Sequence, residues 1–306
     1  MNRITQLLLF IVVVFLFASV GLFAQKPRPK PKAVTSPMIF AILNGGKLIE
    51  PVAAVENGKL VPADTGPSDD KASKTFVDMY YSPKKAYSII FGGKANGTAT
   101  IVKSNIGTEC GGNSADVLSK PATGSLKGLV MALATNAKLE KPGSGLRRRP
   151  TPEERTEIES LVRAEFAKEG TSAAAMKMLR YHSLTALDLN NDGVAEFVGS
   201  YWVAPTKDER RILFFIAEKG ADDKYAVVHQ DYKSIKPDDV MSGDVKDLDT
   251  GIGHELLLDV FDYDGDGTSE IFTIAKAFEG DNYFVYRKTD GKWARALENY
   301  VYRCAY

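Results

Sequence analysis

Apolar and polar positions change their period several times along this chain. From residue 37 the runs MIFAIL, KLIEPVAAV and KLVPA are separated by Asn44-Gly45-Gly46 and by Asn57-Gly58. Asn-Gly supplies two residues that tolerate positive φ, the geometry a tight hairpin turn demands, so these runs predict a β-meander. YSIIF around Ile89, TATIVK around Ile101 and LVMALA around Met131 continue the pattern, and residues 37–137 are read as a β-rich domain. The segment 138–150, KLEKPGSGLRRRP, breaks the period with Gly, Pro and basic residues and reads as a linker, with Arg147–Arg149 as a solvated run.

The period then becomes 3.6. Thr151 stands where an N-cap is needed, Pro152 at the first helical position, Glu154 where it completes a capping box, and Gly170 where the helix must stop. Ile158, Leu161, Val162 and Phe166 fall on one face, which predicts a packing surface. Strand-like segments follow in two sets. SLTALDL, FVGSYWV, RRILFFIAE and KYAVVHQDY form the first; ELLLDVF, IFTIAKAF, NYFVYRK and WARALENYVY form the second, with a turn at Asp290-Gly291. Residues 151–306 therefore read as one helix plus a four-stranded unit that occurs twice. The fold class expected is mainly β with one or two helices: an N-terminal β-rich domain followed by propeller-like four-stranded repeats that do not close into a ring.

Within each unit the first two strands are joined by an acidic loop. DYDGDGTSE, Asp262 to Glu270, stands 74 positions after DLNNDGVAE, Asp188 to Glu196. Carboxylates crowded this closely repel one another, and a chain that collects them usually does so for a cation. A calcium ion takes six to eight oxygens, and alternate loop positions can turn inward to supply them. Asp262, Asp264, Asp266 and Glu270 stand at positions 1, 3, 5 and 9, with the Thr268 carbonyl at position 7; Asp188, Asn190, Asp192, Glu196 and the Val194 carbonyl are their counterparts. Gly267 and Gly193 give the bend its freedom. By charge count the second loop is the tighter site. The EF-hand template does not apply, since its position 12 holds Thr273 or Gly199 and no helices flank the loops. The competing reading of each loop is an ordinary acidic turn.

The pattern D-x-[DN]-x-D-G-x-x-[DE] between strands, repeated in a four-stranded unit, resembles the calcium loops of the FG-GAP and VCBS repeat families, including those of integrin-type β-propellers. The resemblance covers only the two loops and their flanking strands, and it implies calcium ligation at the ten positions just named. Two units are too few for a closed propeller, which needs about four to eight blades.

Composition narrows the functional classes. Lys plus Arg and Asp plus Glu both number 39, so no overall field draws this chain to nucleic acid. At the N-terminus, Arg3, the apolar run from Leu7 to Phe23 and then Ala24 and Gln25 read as a secretory signal peptide over residues 1–24, with residues 7–23 as a membrane tether if uncleaved. Residues 25–36, with the Lys/Pro alternation QKPRPKPK, read as an extended spacer. The expected location is secreted or periplasmic, with an anchored form as the alternative. Cys110 and Cys304 are candidates for one disulfide in an exported chain.

Local signatures of catalysis are sparse. His182, His229 and His254 are too far apart in sequence for a local zinc motif, and no nucleophile elbow, P-loop or dinucleotide fingerprint occurs. The reading is a non-enzymatic calcium-binding module for a protein or glycan partner, with Tyr201, Trp202, Tyr283, Tyr286 and Trp293 as candidates for an aromatic face. The alternative is a metal-dependent hydrolase that joins His254 to the acidic loops.

Overall fold

The computed structural model describes residues 36–63, 71–108, 112–139 and 145–302. The leader, nearly all of the spacer and both cysteines lie outside the described residues. Strands β1 (Met38–Leu43), β2 (Leu48–Glu56) and β3 (Lys59–Pro62) form the expected meander. Asn44, Asn57 and Asp290 all take positive φ at their turns, as the Asn-Gly and Asp-Gly signals require. β4 (Ala86–Phe91), β5 (Lys94–Ser104), β6 (Ala115–Pro121) and β7 (Ala132–Thr135) then complete a sheet in the order β1-β7-β4-β5-β6-β2-β3. Because β1 also pairs with β2, six of these strands close into a barrel, and β3 hangs on its rim.

Helix α1 (Lys71–Tyr80), which no sequence signal singled out, packs against the barrel core. Its Phe76 and Tyr80 rings meet Phe40 and Tyr81, with Phe40 and Tyr80 6.2 Å apart and Phe76 and Tyr81 5.2 Å apart. The run MIFAIL is buried at every position because both of its faces are covered. Met38, Phe40 and Ile42 belong to the barrel core, while Ile39, Ala41 and Leu43 join a second core with the C-terminal sheet.

Helix α2 (Pro152–Lys168) forms as expected, with both hydrogen bonds of the Thr151–Glu154 capping box present and Gly170 at φ 73°. Ile158, Val162 and Phe166 are fully buried against the first repeat, each stabilising the pair by about 1.5–3 kcal/mol. A short helix α3 (Ala173–Met176) follows. The first repeat is the antiparallel sheet β9 (Arg180–Leu187), β10 (Glu196–Thr206), β11 (Glu209–Lys219) and β12 (Tyr225–Ile235), extended at its edge by β8 (Arg147–Arg148). The second is the open sheet β13 (Glu255–Phe261), β14 (Glu270–Lys276), β15 (Gly280–Thr289) and β16 (Lys292–Tyr302).

The two repeats pack through Leu187, Val198, Phe214 and Ile216 of the first and Leu257, Val260, Ile271 and Tyr286 of the second. The other face of the second sheet lies on the barrel through Leu256, Leu258, Phe272, Ile274 and Val285. Ser36–Tyr306 accordingly forms one compact unit. Arg147 departs from the solvated run expected of it. Its guanidinium is buried, 2.7 Å from the fully buried Asp259 carboxylate, donates to the Met131 and Leu258 carbonyls, and lies 4.6 Å from the Phe91 ring. Burial raises the Asp259 pKa, and the Arg147 charge with the amides of Val260 and Gly92 opposes that rise.

Candidate metal centre

Both acidic loops join the first strand of a repeat to its second, β9 to β10 and β13 to β14. Position 4 takes positive φ in each, at Asn191 (60°) and Gly265 (76°), and so does position 6, at Gly193 (82°) and Gly267 (93°). The chain can thus wrap back on itself twice within a few residues, which presents the alternate side chains to one centre.

The hydrogen bonds repeat position by position. Asp188 Oδ1 accepts from the Asp192 amide at 3.1 Å and Oδ2 from the Gly193 amide at 3.0 Å; Asp262 accepts from Asp266 at 3.2 Å and from Gly267 at 3.0 Å. Asp192 Oδ1 accepts from Val194 at 2.7 Å, and Asp266 Oδ1 from Thr268 at 2.9 Å. Position 9 reaches back to position 2 in both: the Leu189 amide donates to Glu196 at 2.7 Å and the Tyr263 amide to Glu270 at 3.4 Å. The loops also touch, since the Ser269 amide donates to the Leu189 carbonyl at 2.7 Å.

No family model, curated protein or solved structure matches this chain. Its chemistry therefore rests on the geometry. In the second loop Asp262, Asp264 and Glu270 each offer an oxygen, all within 4.8 Å of one another. Oxygens on opposite sides of a calcium ion stand roughly 4.6–5.2 Å apart, twice the Ca–O distance, so these three oxygens are close enough together to hold an ion of that size. Asp266 is not part of that cluster, and its Oδ2 accepts from Arg287 Nη2 at 3.3 Å. In the first loop the donors lean on one another instead, with Asn190 Nδ2 donating to Asp192 Oδ2 at 2.9 Å. Asp188, Asp192 and Glu196 do not form such a cluster among the described residues.

Burial pushes the Glu270 carboxyl up to about 8, with the Asp264 charge adding to the rise. Burial likewise raises Glu196 to about 7, helped by Asp192, Asp188 and Glu218. A cation among these oxygens favours the charged forms. Arg287, on β15, supplies part of that charge from the protein itself. Its Nη2 lies 2.5 Å from Asp264 and 3.3 Å from Asp266, and its Nε 3.6 Å from Glu270. The sequence carries no local signal for this residue, because the register of β14 on β15, continued one step past the Ile271–Tyr286 pair, is what brings it opposite Glu270. One step beyond the Phe197–Ala217 pair of β10 on β11, the same position of the first repeat is Glu218, whose carboxylate is held by Lys288 Nζ and Trp293 Nε1. The charge count within the loops alone thus leaves out an opposing arginine at one and a further carboxylate at the other.

His254 precedes β13 while Asp262 follows it, and eight strand positions correspond to about 26 Å. The histidine and the acidic loop therefore occupy opposite ends of the strand. His254 is buried, its ring lies 4.5 Å from that of His182 at a tilt of 34°, and it is pushed down to about 4 by that burial and by the His182 charge. The five aromatic residues considered for a binding face, Tyr201, Trp202, Tyr283, Tyr286 and Trp293, are all buried and belong to the core.

Proposed function

We propose that this chain is an exported, non-enzymatic binding module whose two repeats are each stitched by a structural calcium ion, held by Asp262, Asp264, Asp266, Glu270 and the Thr268 carbonyl in one loop and by Asp188, Asn190, Asp192, Glu196 and the Val194 carbonyl in the other. The observation that carries it is the position-by-position repetition of backbone-to-carboxylate hydrogen bonds in two loops at equivalent places in two sheets. The bonds from position 7 to position 5 are ordinary Asx-turn bonds; those from positions 5 and 6 back to the carboxylate at position 1 are what wrap each loop around one centre. The ion's contribution is structural: it neutralises carboxylates that otherwise repel and ties the first strand of each sheet to the second. Export supplies both the leader's purpose and a compartment rich in calcium, and the FG-GAP and VCBS resemblance of the loops agrees with both.

The test is a calorimetric calcium titration of the chain from Gln25 onward beside the variant Asp264→Ala/Asp266→Ala, with thermal melts in calcium and in chelator. Two sites and a higher Tm are expected for the wild type, and one site fewer for the variant. Absence of both heat and stabilisation at millimolar calcium would sink the reading.

A further inference from the structure

A cleft of about 690 Å³ opens where the 125–130 loop of the barrel, the β8–α2 junction and strand β9 meet, with Leu256 and Leu257 of β13 among its walls. Its charges are of one sign. Lys127, Arg147, Arg148, Arg149 and Arg155 line it, and among the described residues no aspartate or glutamate does. Three of these cations are held by carboxylates that do not line the cleft: Arg147 by Asp259, Arg148 by Glu154 and Arg155 by Glu159. Those pairs fix the guanidinium groups in place. Lys127 and Arg149 are exposed and available to a ligand.

Among the described residues, the cleft also contains an open strand edge. β9 pairs with β10 along one side, but on the other β8 covers only Leu187 and Ala186. Pro150 then ends any continuation of β8, because it has no amide hydrogen to donate, and Pro152 opens α2. Tyr181, Ser183, Leu184 and Thr185 line the cleft along this uncovered length, where alternate residues turn an amide and a carbonyl away from β10. Beside them stand side chains that a soluble surface does not ordinarily expose together: Leu129 is 59% exposed, Tyr181 51% and Val130 38%.

We infer that the cleft between the barrel and the first repeat binds an extended acidic peptide segment of a partner protein, which adds as a strand to the free edge of β9, places apolar side chains against Leu129, Val130 and Tyr181, and sets its carboxylates against Lys127 and Arg149. An open edge confers affinity through the main chain, and the pockets and charges beside it choose the sequence. A small anion satisfies the cations but leaves both the edge and the apolar wall uncovered. This inference names a partner class for the binding role proposed above and is independent of the chemistry of the acidic loops.

A fluorescein-labelled ten-residue peptide of alternating glutamate and valine is titrated by anisotropy against the chain from Gln25 onward. It runs beside a lysine–valine peptide, a glutamate–valine peptide N-methylated at alternate amides, and inorganic phosphate as competitor. The acidic peptide is expected to bind at one site, with at least a tenfold loss for Lys127→Glu/Arg149→Glu, whose side chains are exposed, and a comparable loss on N-methylation. No binding at millimolar protein, equal binding of the N-methylated peptide, or full displacement by millimolar phosphate overturns the inference. The titration is repeated in calcium and in chelator alongside thermal melts. Lost peptide binding with calcium stabilisation intact removes the cleft alone, and retained peptide binding without any calcium response removes the metal reading alone.

Discussion

Arg287 is the residue on which the second acidic loop turns. Its guanidinium lies against Asp264, Asp266 and Glu270, the side chains that a calcium ion would share. Removing a unit positive charge about 4 Å from a divalent ion relieves about 2 kcal/mol even at the dielectric of water, before screening by salt. Arg287→Gln is therefore expected to raise the calcium affinity of that loop by at least about fivefold in calorimetry, and to lower the Tm measured in chelator, where the arginine is the loop's internal counter-charge. An unchanged affinity would place the guanidinium outside the ion's field. Glu255 offers a second test at this scale. It is buried beneath Thr273 and Tyr286, which contact its carboxylate, and burial raises it to about 7. A carboxyl raised on folding contributes fully below its unfolded value and loses that contribution as pH rises through the folded one. Relative to the wild type, Glu255→Gln should thus gain stability between pH 5 and pH 8, on the order of 3 kcal/mol at the upper end. Urea titrations at the two pH values read that difference, and a pH-independent gap would contradict it.

At the scale of elements, the two loops are joined by the bond from the Ser269 amide to the Leu189 carbonyl. Leu189 is also the residue whose amide holds Glu196, so the bond bears directly on the position-9 carboxylate of the other loop. Calcium at the second loop is accordingly expected to favour calcium at the first. In Asp264→Ala/Asp266→Ala the surviving site should weaken by several-fold compared with the wild type; an unaltered constant would mean that each loop acts alone. Helix α2 gives a simpler expectation. Thr151→Ala removes the side-chain oxygen that accepts from the Glu154 amide, at a cost of about 1 kcal/mol read as a lower midpoint in urea.

For the whole molecule, the Arg147–Asp259 pair is the point where barrel, first repeat and second repeat converge. Asp259 on β13 accepts the Gly92 amide of the barrel at 3.0 Å from both oxygens, and Arg147 comes from β8 of the first repeat. Breaking a buried pair from one side strands the other charge. Asp259→Leu alone should cost about 3–5 kcal/mol, and Arg147→Met combined with it should recover much of that loss. The signature of a shared core is a single unfolding transition by both near-ultraviolet circular dichroism and calorimetry, shifted as a whole by these substitutions. Two separated transitions would mean that the barrel and the repeats hold themselves together independently.

Local signals in the chain determined its local structure. Hairpin turns at Asn57-Gly58 and Asp290-Gly291, the capped helix from Pro152 and all eight repeat strands follow from backbone preferences and hydrophobic period, which act over a few neighbouring residues. The acidic loops were legible for the same reason, because their candidate ligands come from nine consecutive positions. Closure of the barrel, the seating of α1 on its core and the burial of Arg147 were not legible, since each depends on partners far away in sequence. β1 illustrates the limit: MIFAIL announces a buried strand, but only its two neighbouring cores decide that both faces are covered. Arg287 and Glu218 were hidden from the loop patterns in the same way, because sheet register, and not sequence proximity, sets the charge each loop meets. The sequence by itself wrote two acidic loops of one pattern; tertiary structure decided which charges oppose them, and it left the edge of β9 open, among the described residues, beside a cleft lined by cations.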